Sequence, residues 1–384
     1  MKEKYDLIVV GGGVLGTFHA YHAKQKGLKV ALVEKNQSPQ GASVRNFGQV
    51  VPSGMDSKWQ AYGRESLKIY KDIQSKFDLT VRQEGTVYLA SNEEESQLLE
   101  ELAVINKSNN YSSNLLSKTE CLNNYPGLRK DYVQSGLFFP EEAIVEPPKM
   151  VNKLHEFLKQ EGMDMFFNTK IIQCEETSNA VVLTVATGAK LLASKVIICN
   201  GSEFQSLYPT IFKESDLVVS KLQMMATKPQ SNYKIKGSVL TGLTIRRYEA
   251  FEECASYAAI KARENQDALE KKWGVHILFK QAHDGSVLLG DSHEYADAKS
   301  IDDLGYDLNM DIDNFIIEES KKIMNLPNYE IQQRWFGMYS QCKTTDIYEK
   351  TIGENIHIVT GIGGKGMTGS AGFSKENINT IFNF

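Results

Sequence analysis

The sequence predicts an α/β protein in which a domain of parallel βαβ units is interrupted by an inserted α+β domain built on an antiparallel sheet. Three observations carry that prediction. Residues 5–35 read as strand, glycine turn, helix and strand; the chain closes on a second strand–glycine–helix passage from Ile356; and residues 215–295 read as short strands of a mostly antiparallel sheet. Pieces of one parallel fold at both termini and in mid-chain make the second domain an insertion. The expected division is 1–85, 143–215 and 340–384 for the first domain, and 86–142 and 216–339 for the second.

Element by element, Tyr5–Val10 is a short apolar strand, Leu15–Gln25 a helix of small residues stopped at Gly27, and Lys29–Glu34 the second strand. The glycine-rich, small polar text at 41–54 reads as a loop. Helical spacing returns at 57–77, Gly85–Ala90 is strand-like, and polar helical text covers 92–124, ending in an Asn-Asn-Tyr-Pro-Gly turn at 123–127. Glu146-Pro147-Pro148 opens an amphipathic helix that runs over Lys149–Glu161. Short strands follow at Met165–Phe167, Lys170–Gln173, Val181–Val185 and Lys195–Cys199. A charged helix is expected near 261–272 within the inserted sheet, and Asp311–Met324 is a further helix. Strand Ile356–Thr360, a glycine loop over 361–372 and a helix from Ser374 complete the chain.

Bulk properties exclude several classes. A formal net charge of −5 provides no basic field for nucleic acid and no polybasic arm for an acidic membrane. No uninterrupted apolar run reaches the roughly 18 residues of a membrane span. The apolar start Leu7–Val10 is broken by glycine too soon for a signal peptide. Cysteines 121, 174, 199, 254 and 342 are scattered without a CxxC pair, which fits reduced thiols in a cytoplasm rather than a disulfide or zinc framework.

Chemistry enters at the first turn. Gly11, Gly13 and Gly16 spell G-x-G-x-x-G, with Val14 and Leu15 opening the helix behind them. Such a turn lets the backbone approach a pyrophosphate, and the helix N-terminus presents N–H groups and partial positive charge to it. Glu34, followed by Lys35, closes the second strand, where a carboxylate accepts from the ribose hydroxyls of an adenosine and repels a 2′-phosphate. A Rossmann-like dinucleotide domain follows, with NADP disfavoured, but this unit alone does not separate FAD from NAD. Two further segments point to FAD. Ser43, Arg45, Asn46, Phe47, Gly48 and Gln49 supply closely spaced donors and bare backbone. Gly363, Gly364, Lys365, Gly366, Met367 and Thr368 form a second glycine cradle before a helix, where the helix N-terminus stabilises negative charge on a reduced flavin. For Lys365 itself a flavin contact and a solvated loop lysine are both open.

With Ile198-Cys199-Asn200-Gly201 added, these motifs resemble the D-amino-acid oxidase/glycine oxidase/sarcosine oxidase superfamily of FAD enzymes, over nearly the whole chain and in the same order. More narrowly, SVRNFGQVVPSG at 43–54 and LLGDSHEY at 288–295 are similar to FAD oxidoreductases found with phosphonate-degradation genes. The resemblance implies that Asn200 and Gly201 lie near the cofactor, that backbone around Lys170-Ile171 borders the adenine, and that 43–49 lies beside the flavin ring. It also implies amine oxidation by hydride transfer to flavin N5, followed by imine hydrolysis, with no general base assigned. Two departures matter. Glycine oxidase-like members carry W-x-G-x-R, whose arginine grips the substrate carboxylate; here Trp335-Phe336-Gly337-Met338-Tyr339 ends in tyrosine. The cysteine that links flavin covalently in the sarcosine oxidase type corresponds to Gly337, and Cys342 is displaced, so the FAD is expected to be non-covalent.

His283 and His293 sit ten residues apart in the inserted sheet, and no further ligands converge on them, so no metal centre is expected. His293 is either a satisfied turn residue or a substrate contact. Arg334 and Tyr339 face opposite sides of one strand, Arg334 as an ion-pairing residue and Tyr339 toward the pocket. Arg246-Arg247 and Lys221 are read as solvated residues on a surface strand or as phosphonate partners. The expected substrate is a small primary or N-methyl amine bearing an anionic group, such as 2-aminoethylphosphonate, touched by Gln49, His293 and Tyr339; the electron acceptor, oxygen or another, is open. The alternatives are an amino-acid, sarcosine or glycine-type oxidase, and a flavin-binding protein without turnover.

Overall fold

In the computed structural model, which describes residues 4–384, β1 (Lys4–Val10) and β2 (Val30–Val33) run parallel and are joined by α1 (Val14–Gln25). Both strands are rich in Val, Ile and Leu because a parallel sheet is covered on both faces. Lys190–Ile198 pairs parallel on the other side of β1, and Ile356–Thr360 pairs parallel beyond it. Asp164–Phe166 extends the sheet past β2, Tyr348–Ile352 closes the opposite edge antiparallel, and the hairpin of Ile171–Glu176 and Val181–Val185 branches from Lys190–Ile198. The N-terminal, mid-chain and C-terminal segments therefore build one sheet of eight strands.

α1 is buried from Val14 to Ala23, which is why its sequence shows small residues rather than an amphipathic stripe. It packs on the sheet, on α2 (Ser57–Lys76), through Phe18 and Tyr70 at 5.3 Å between ring centres, and on the C-terminal helix. That last helix spans Gly366–Phe382, so the expected loop over 361–372 is too long and the helix starts eight residues before Ser374. Glycine disfavours helix by about 1 kcal/mol relative to alanine, which is the propensity signal that suggested a loop. Packing overrides it: a Cβ on Gly372 would lie 2.1 Å from the Tyr62 carbonyl oxygen, and one on Gly369 would press on the Trp59 ring at 2.9 Å.

The second sheet has nine strands. Leu217–Thr227 pairs antiparallel with Ile331–Cys342 along its whole length and, on its other side, with Glu294–Asp297 and Val287–Gly290. Leu278–Gln281, Ser238–Leu240, Thr86–Ala90, Ser135–Phe139 and Asn114–Ser117 continue it, antiparallel except between Ser238–Leu240 and Thr86–Ala90. One face packs against the helix Glu93–Ser108, the other against Met310–Ile323. The strand Ile331–Cys342 runs across the expected boundary at 339/340, and its Gln341 bridges to Ile362 beside the other sheet.

Two helical expectations are corrected. The text at 92–124 is not one helix: it stops at Ser108, Asn110 turns left-handed at φ 52°, and Asn114–Ser117 is an edge strand before a helix at Lys118–Asn124. Ser117 and Glu120 form a capping box, a start signal already present in the sequence. The charged helix near 261–272 is two short helices, Tyr257–Lys261 and Leu269–Lys272, preceded by a helical turn at Gly242–Ile245.

Candidate functional site

A cavity of about 1230 Å3 lies between the two sheets, and its walls come from both. That exceeds the roughly 300–1,000 Å3 of ordinary small-molecule pockets, as a dinucleotide plus a substrate requires. The first wall is the glycine turn. Gly11 has φ +110°, and a Cβ there would meet the Cys199 carbonyl oxygen at 2.1 Å, so only glycine allows β1, its neighbour strand and α1 to converge. Glu34 is buried at the end of β2, with one carboxylate oxygen accepting from the Gly12 N–H at 2.9 Å and the other from the Asn36 N–H at 2.9 Å. Behind the turn His155 is 3.0 Å from both the Gly12 carbonyl oxygen and the Thr17 hydroxyl, and burial pushes its pKa down to about 4.

The loop after β2 is self-tied. Ser43 Oγ accepts from the Val14 N–H at 2.9 Å, capping α1, and Asn46 donates to the Ala42 and Ser43 carbonyls at 3.0 Å while accepting from the Gly48 N–H at 2.7 Å. Arg45 Nε donates to the Gln40 carbonyl at 2.8 Å. The second glycine cradle lies opposite, where the Thr368 hydroxyl accepts from the Val51 N–H at 3.0 Å and Gly201 O accepts from Ser340 and Thr360. Lys365 is not a solvated loop lysine. It is held by Glu249 at 2.6 Å and Asp346 at 3.2 Å, so its charge is spoken for.

Most positions singled out in the sequence for cofactor or substrate line this cavity: Gly11, Gly13, Val14, Leu15 and Gly16 of the turn, Glu34 and Lys35, Ser43, Arg45–Gln49, Ile171, Asn200, Gly201, the cradle at 363–368, His293 and Tyr339; Lys221 and Arg246 do not. Gln49 Nε2 and Asn200 Oδ1 are buried there without a protein partner, so each has hydrogen-bonding capacity to offer a ligand. The glycine cradle, the buried Glu34 and these two polar atoms fit an extended dinucleotide.

The far half of the cavity is aromatic. Tyr339 is buried on strand Ile331–Cys342, its hydroxyl 3.4 Å from the Arg45 carbonyl, and burial raises its pKa well above the ordinary tyrosine range, so it remains neutral. Tyr248, His276, His293 and Tyr295 form a ladder of rings with successive centres 5.6, 5.5 and 6.1 Å apart. Sequence reasoning passed over Tyr248 and His276, and it named Asp291 only within a motif. The available signal was hairpin register: with Leu278 opposite Gly290, extension by two residues sets His276 opposite Ser292, between Asp291 and His293.

The expectation that nothing converges on His293 is therefore corrected, since His276, Asp291 and His293 bring ligand-type atoms within 4.8 Å of one another. Yet His276 Nε2 lies 2.5 Å from Asp291 Oδ1, in direct polar contact. Two ligands of one tetrahedral zinc ion would stand roughly 3.3 Å apart. The trio is a buried polar cluster. Burial would raise Asp291, but His276, His293 and Arg247 hold it below the usual carboxylate range; burial, against the pull of Asp291, takes His293 down to about 3. His293 Nδ1 also lies 3.0 Å from the Gly274 carbonyl oxygen.

His283 is far from this cluster in function, exposed on the turn between Leu278–Gln281 and Val287–Gly290. Arg334 pairs with buried Asp313 at 2.8 Å, on the face of its strand opposite Tyr339. Lys221 is buried, donating to the Leu304 and Asp307 carbonyls. Arg246 and Arg247 follow a helical turn and do not lie on a surface strand; Arg246 is committed to Glu94 and Glu95, whereas Arg247 lines the cavity. All five cysteines are free, and Cys199, on the cavity wall, is raised above the usual thiol range by burial, so it offers no thiolate.

Residues 6–377 match the family described as DAO, FAD dependent oxidoreductase. The chain belongs to that family. FAD is therefore the cofactor, and the fold class is that of the family's oxidoreductases. Among curated DAO-type relatives, glycine oxidase of Bacillus licheniformis is 25% identical over 220 residues, covering 55% of this chain and 58% of that protein. The match therefore spans less than two thirds of the relative's length. Among solved structures, glycine oxidase from Bacillus cereus superposes with a TM-score of 0.78 at 17% identity, over 99% of this chain and 95% of the other. L-α-glycerophosphate oxidase from Mycoplasma pneumoniae, a structure with FAD bound, superposes with a TM-score of 0.78 at 19% identity, over 100% and 95%. At such identities the superpositions establish the fold. No helix among the described residues is long and apolar enough to cross a membrane.

Proposed function

We propose that this chain is a cytoplasmic FAD-dependent amine oxidoreductase whose substrate is a small primary or N-methyl amine bearing an anionic group, by preference a phosphonate such as 2-aminoethylphosphonate. Non-covalently bound FAD would supply the oxidising chemistry, as acceptor of a hydride equivalent from the carbon bearing nitrogen, and hydrolysis of the imine would give a carbonyl compound and ammonia, or methylamine from an N-methyl substrate. The protein's part is binding and orientation. The glycine turn and Glu34 hold the adenosine end, residues 43–49 and 363–368 enclose the ring, and the aromatic half positions the amine and sheds water.

The observation that carries this reading is Tyr339. Strand Ile331–Cys342 lines the cavity with Phe336, Met338 and Tyr339 and offers no cation there, where a carboxylate-gripping arginine stands in the glycine oxidase pattern. A neutral hydroxyl is a poor anchor for a simple α-amino acid. A tetrahedral phosphonate, with three oxygens, can instead be held by dispersed donors, among them the Tyr339 hydroxyl, Gln49 and His293. The similarity of 43–54 and 288–295 to phosphonate-associated oxidoreductases supports the same assignment, and the free thiols fit a reducing compartment. The two sheets are proposed as the two domains, with 1–85, 143–215 and 340–384 serving FAD and 86–142 and 216–339 serving substrate.

Anaerobic mixing of the yellow protein with a panel of amines tests the proposal. Aminoethylphosphonate or its N-methyl form should bleach the flavin with a higher kcat/KM than glycine, sarcosine or D-alanine. Faster reduction by glycine or D-alanine would overturn the phosphonate assignment, and bleaching by no amine would overturn turnover itself.

A further inference from the structure

We propose that Arg247 is the anchor for the anionic group of the substrate, an assignment that rests on the amine-oxidation reading above and supplies the cation it lacks. The cations around the cavity sort by their partners. Lys365 is held by Glu249 and Asp346, and Lys343 by Asp297 at 2.5 Å. Lys35 and Lys170 line the cavity beside Glu34 and Ile171, on the glycine-turn side, and Arg45, whose own carbonyl lies beside Tyr339, is tied through Nε to the Gln40 carbonyl. Arg247 stands at the other end, half-buried, and has no carboxylate partner among the described residues.

Its hydrogen bonds are few. One terminal nitrogen donates to the Tyr295 hydroxyl at 3.0 Å, and the other reaches the Gly274 carbonyl only at 3.5 Å. A guanidinium has five N–H donors in a planar fork, so most of its capacity remains for a ligand. Its charge bears on the aromatic ladder, helping to keep His293 neutral and Asp291 ionised. Asp291, 5% exposed, and Arg247 thus give the aromatic half a fixed polarity. A zwitterion enters with its acid on the Arg247 fork, shared with the neutral donors around it, and its amine toward Asp291.

Position also selects the acid. Tyr295 is 50% exposed, so the anchor lies at the mouth of the cavity. Desolvating a dianion completely is costly, and a mouth site lets a phosphonate keep part of its hydration while one face is held by the fork. A buried arginine on strand Ile331–Cys342 would instead favour a compact monoanionic carboxylate close to the ring.

The test uses FAD-loaded full-length protein and two readouts. Methylphosphonate, titrated while flavin absorbance and heat are followed, should bind saturably, with acetate binding more weakly. Arg247→Met should weaken methylphosphonate by roughly ten- to hundredfold, and Arg247→Lys, which keeps charge but loses the fork, by less. In turnover, Arg247→Met should raise KM for aminoethylphosphonate by a similar factor with a smaller change in kcat, leaving flavin reduction by n-propylamine and FAD content unchanged. Equal methylphosphonate binding by the wild type and Arg247→Met, or no binding by the wild type, overturns the anchor even if aminophosphonates are oxidised. Arg247-dependent methylphosphonate binding in a protein that oxidises no amine upholds the anchor and overturns the amine-oxidation reading instead.

Discussion

Replacing His155 with glutamine should flatten the acid limb of this protein's stability curve. The ring sits 3% exposed behind the glycine turn, 3.0 Å from the Gly12 carbonyl oxygen. Burial, aided by the Lys159 charge and opposed by the bond to Gly12, lowers its pKa from 6.5 to about 4. The unfolded chain therefore takes up a proton on this group below pH 6.5 that the folded chain refuses until about pH 4. The stability is fully present above 6.5, falls as pH drops through that window and levels off beneath it. At about 1.36 kcal/mol per unit, the shift amounts to roughly 3 kcal/mol, a large part of the 5–15 kcal/mol typical of a domain. His22, also lowered to about 4, adds a parallel loss, whereas buried Glu142, raised to about 7, gains stability as pH falls. Only the difference between variant and wild type isolates His155. Urea unfolding at fixed FAD concentration and pH 7.5, 6.5, 5.5 and 4.5 should show the two stability curves converging by about 2–3 kcal/mol toward the acid end. Curves that stay parallel would refute the argument.

Other outcomes follow from the same geometry. Gly16→Ala places a Cβ 2.1 Å from the Gly11 carbonyl oxygen and should yield protein that folds but retains little flavin, measured as the flavin-to-protein absorbance ratio. Acid precipitation of the wild type should leave the colour in the supernatant, because Gly337 stands where the linking cysteine would be; a yellow pellet would contradict non-covalent binding. Glu34→Ala removes the carboxylate that holds the Gly12 and Asn36 N–H groups and should weaken FAD by roughly 1.5–3 kcal/mol in a dissociation titration. Tyr339→Phe should raise KM for an aminophosphonate more than it lowers kcat in steady-state assays, since the hydroxyl contacts ground and transition states alike.

What the sequence made legible was local. The glycine turn, Glu34 and the loop at 43–49 are short spacings between a strand and a helix, and the structure brings them to one cavity. What stayed hidden depended on partners distant in the chain. Gly366, Gly369 and Gly372 read as loop because their helix is stabilised by Trp59 and Tyr62, some 300 residues away. Lys365 could not be read as paired because Glu249 and Asp346 come from different segments. His276 carried no motif of its own, and only a hairpin register shows that it meets Asp291. Arg246 and Arg247 are adjacent in the chain yet have opposite fates, which a helical turn decides and composition does not.

The strand Ile331–Cys342 has a mechanical consequence. It is stitched to Leu217–Thr227 along its full length, carries Tyr339 on one face, and reaches across through Gln341 to Ile362 in the glycine cradle. It works as a tie-beam between the two halves of the chamber. Swinging the halves apart like a clamshell would have to break the Gln341–Ile362 bridge, whereas the exposed rings of Tyr295 and Tyr306 mark the doorway of the chamber.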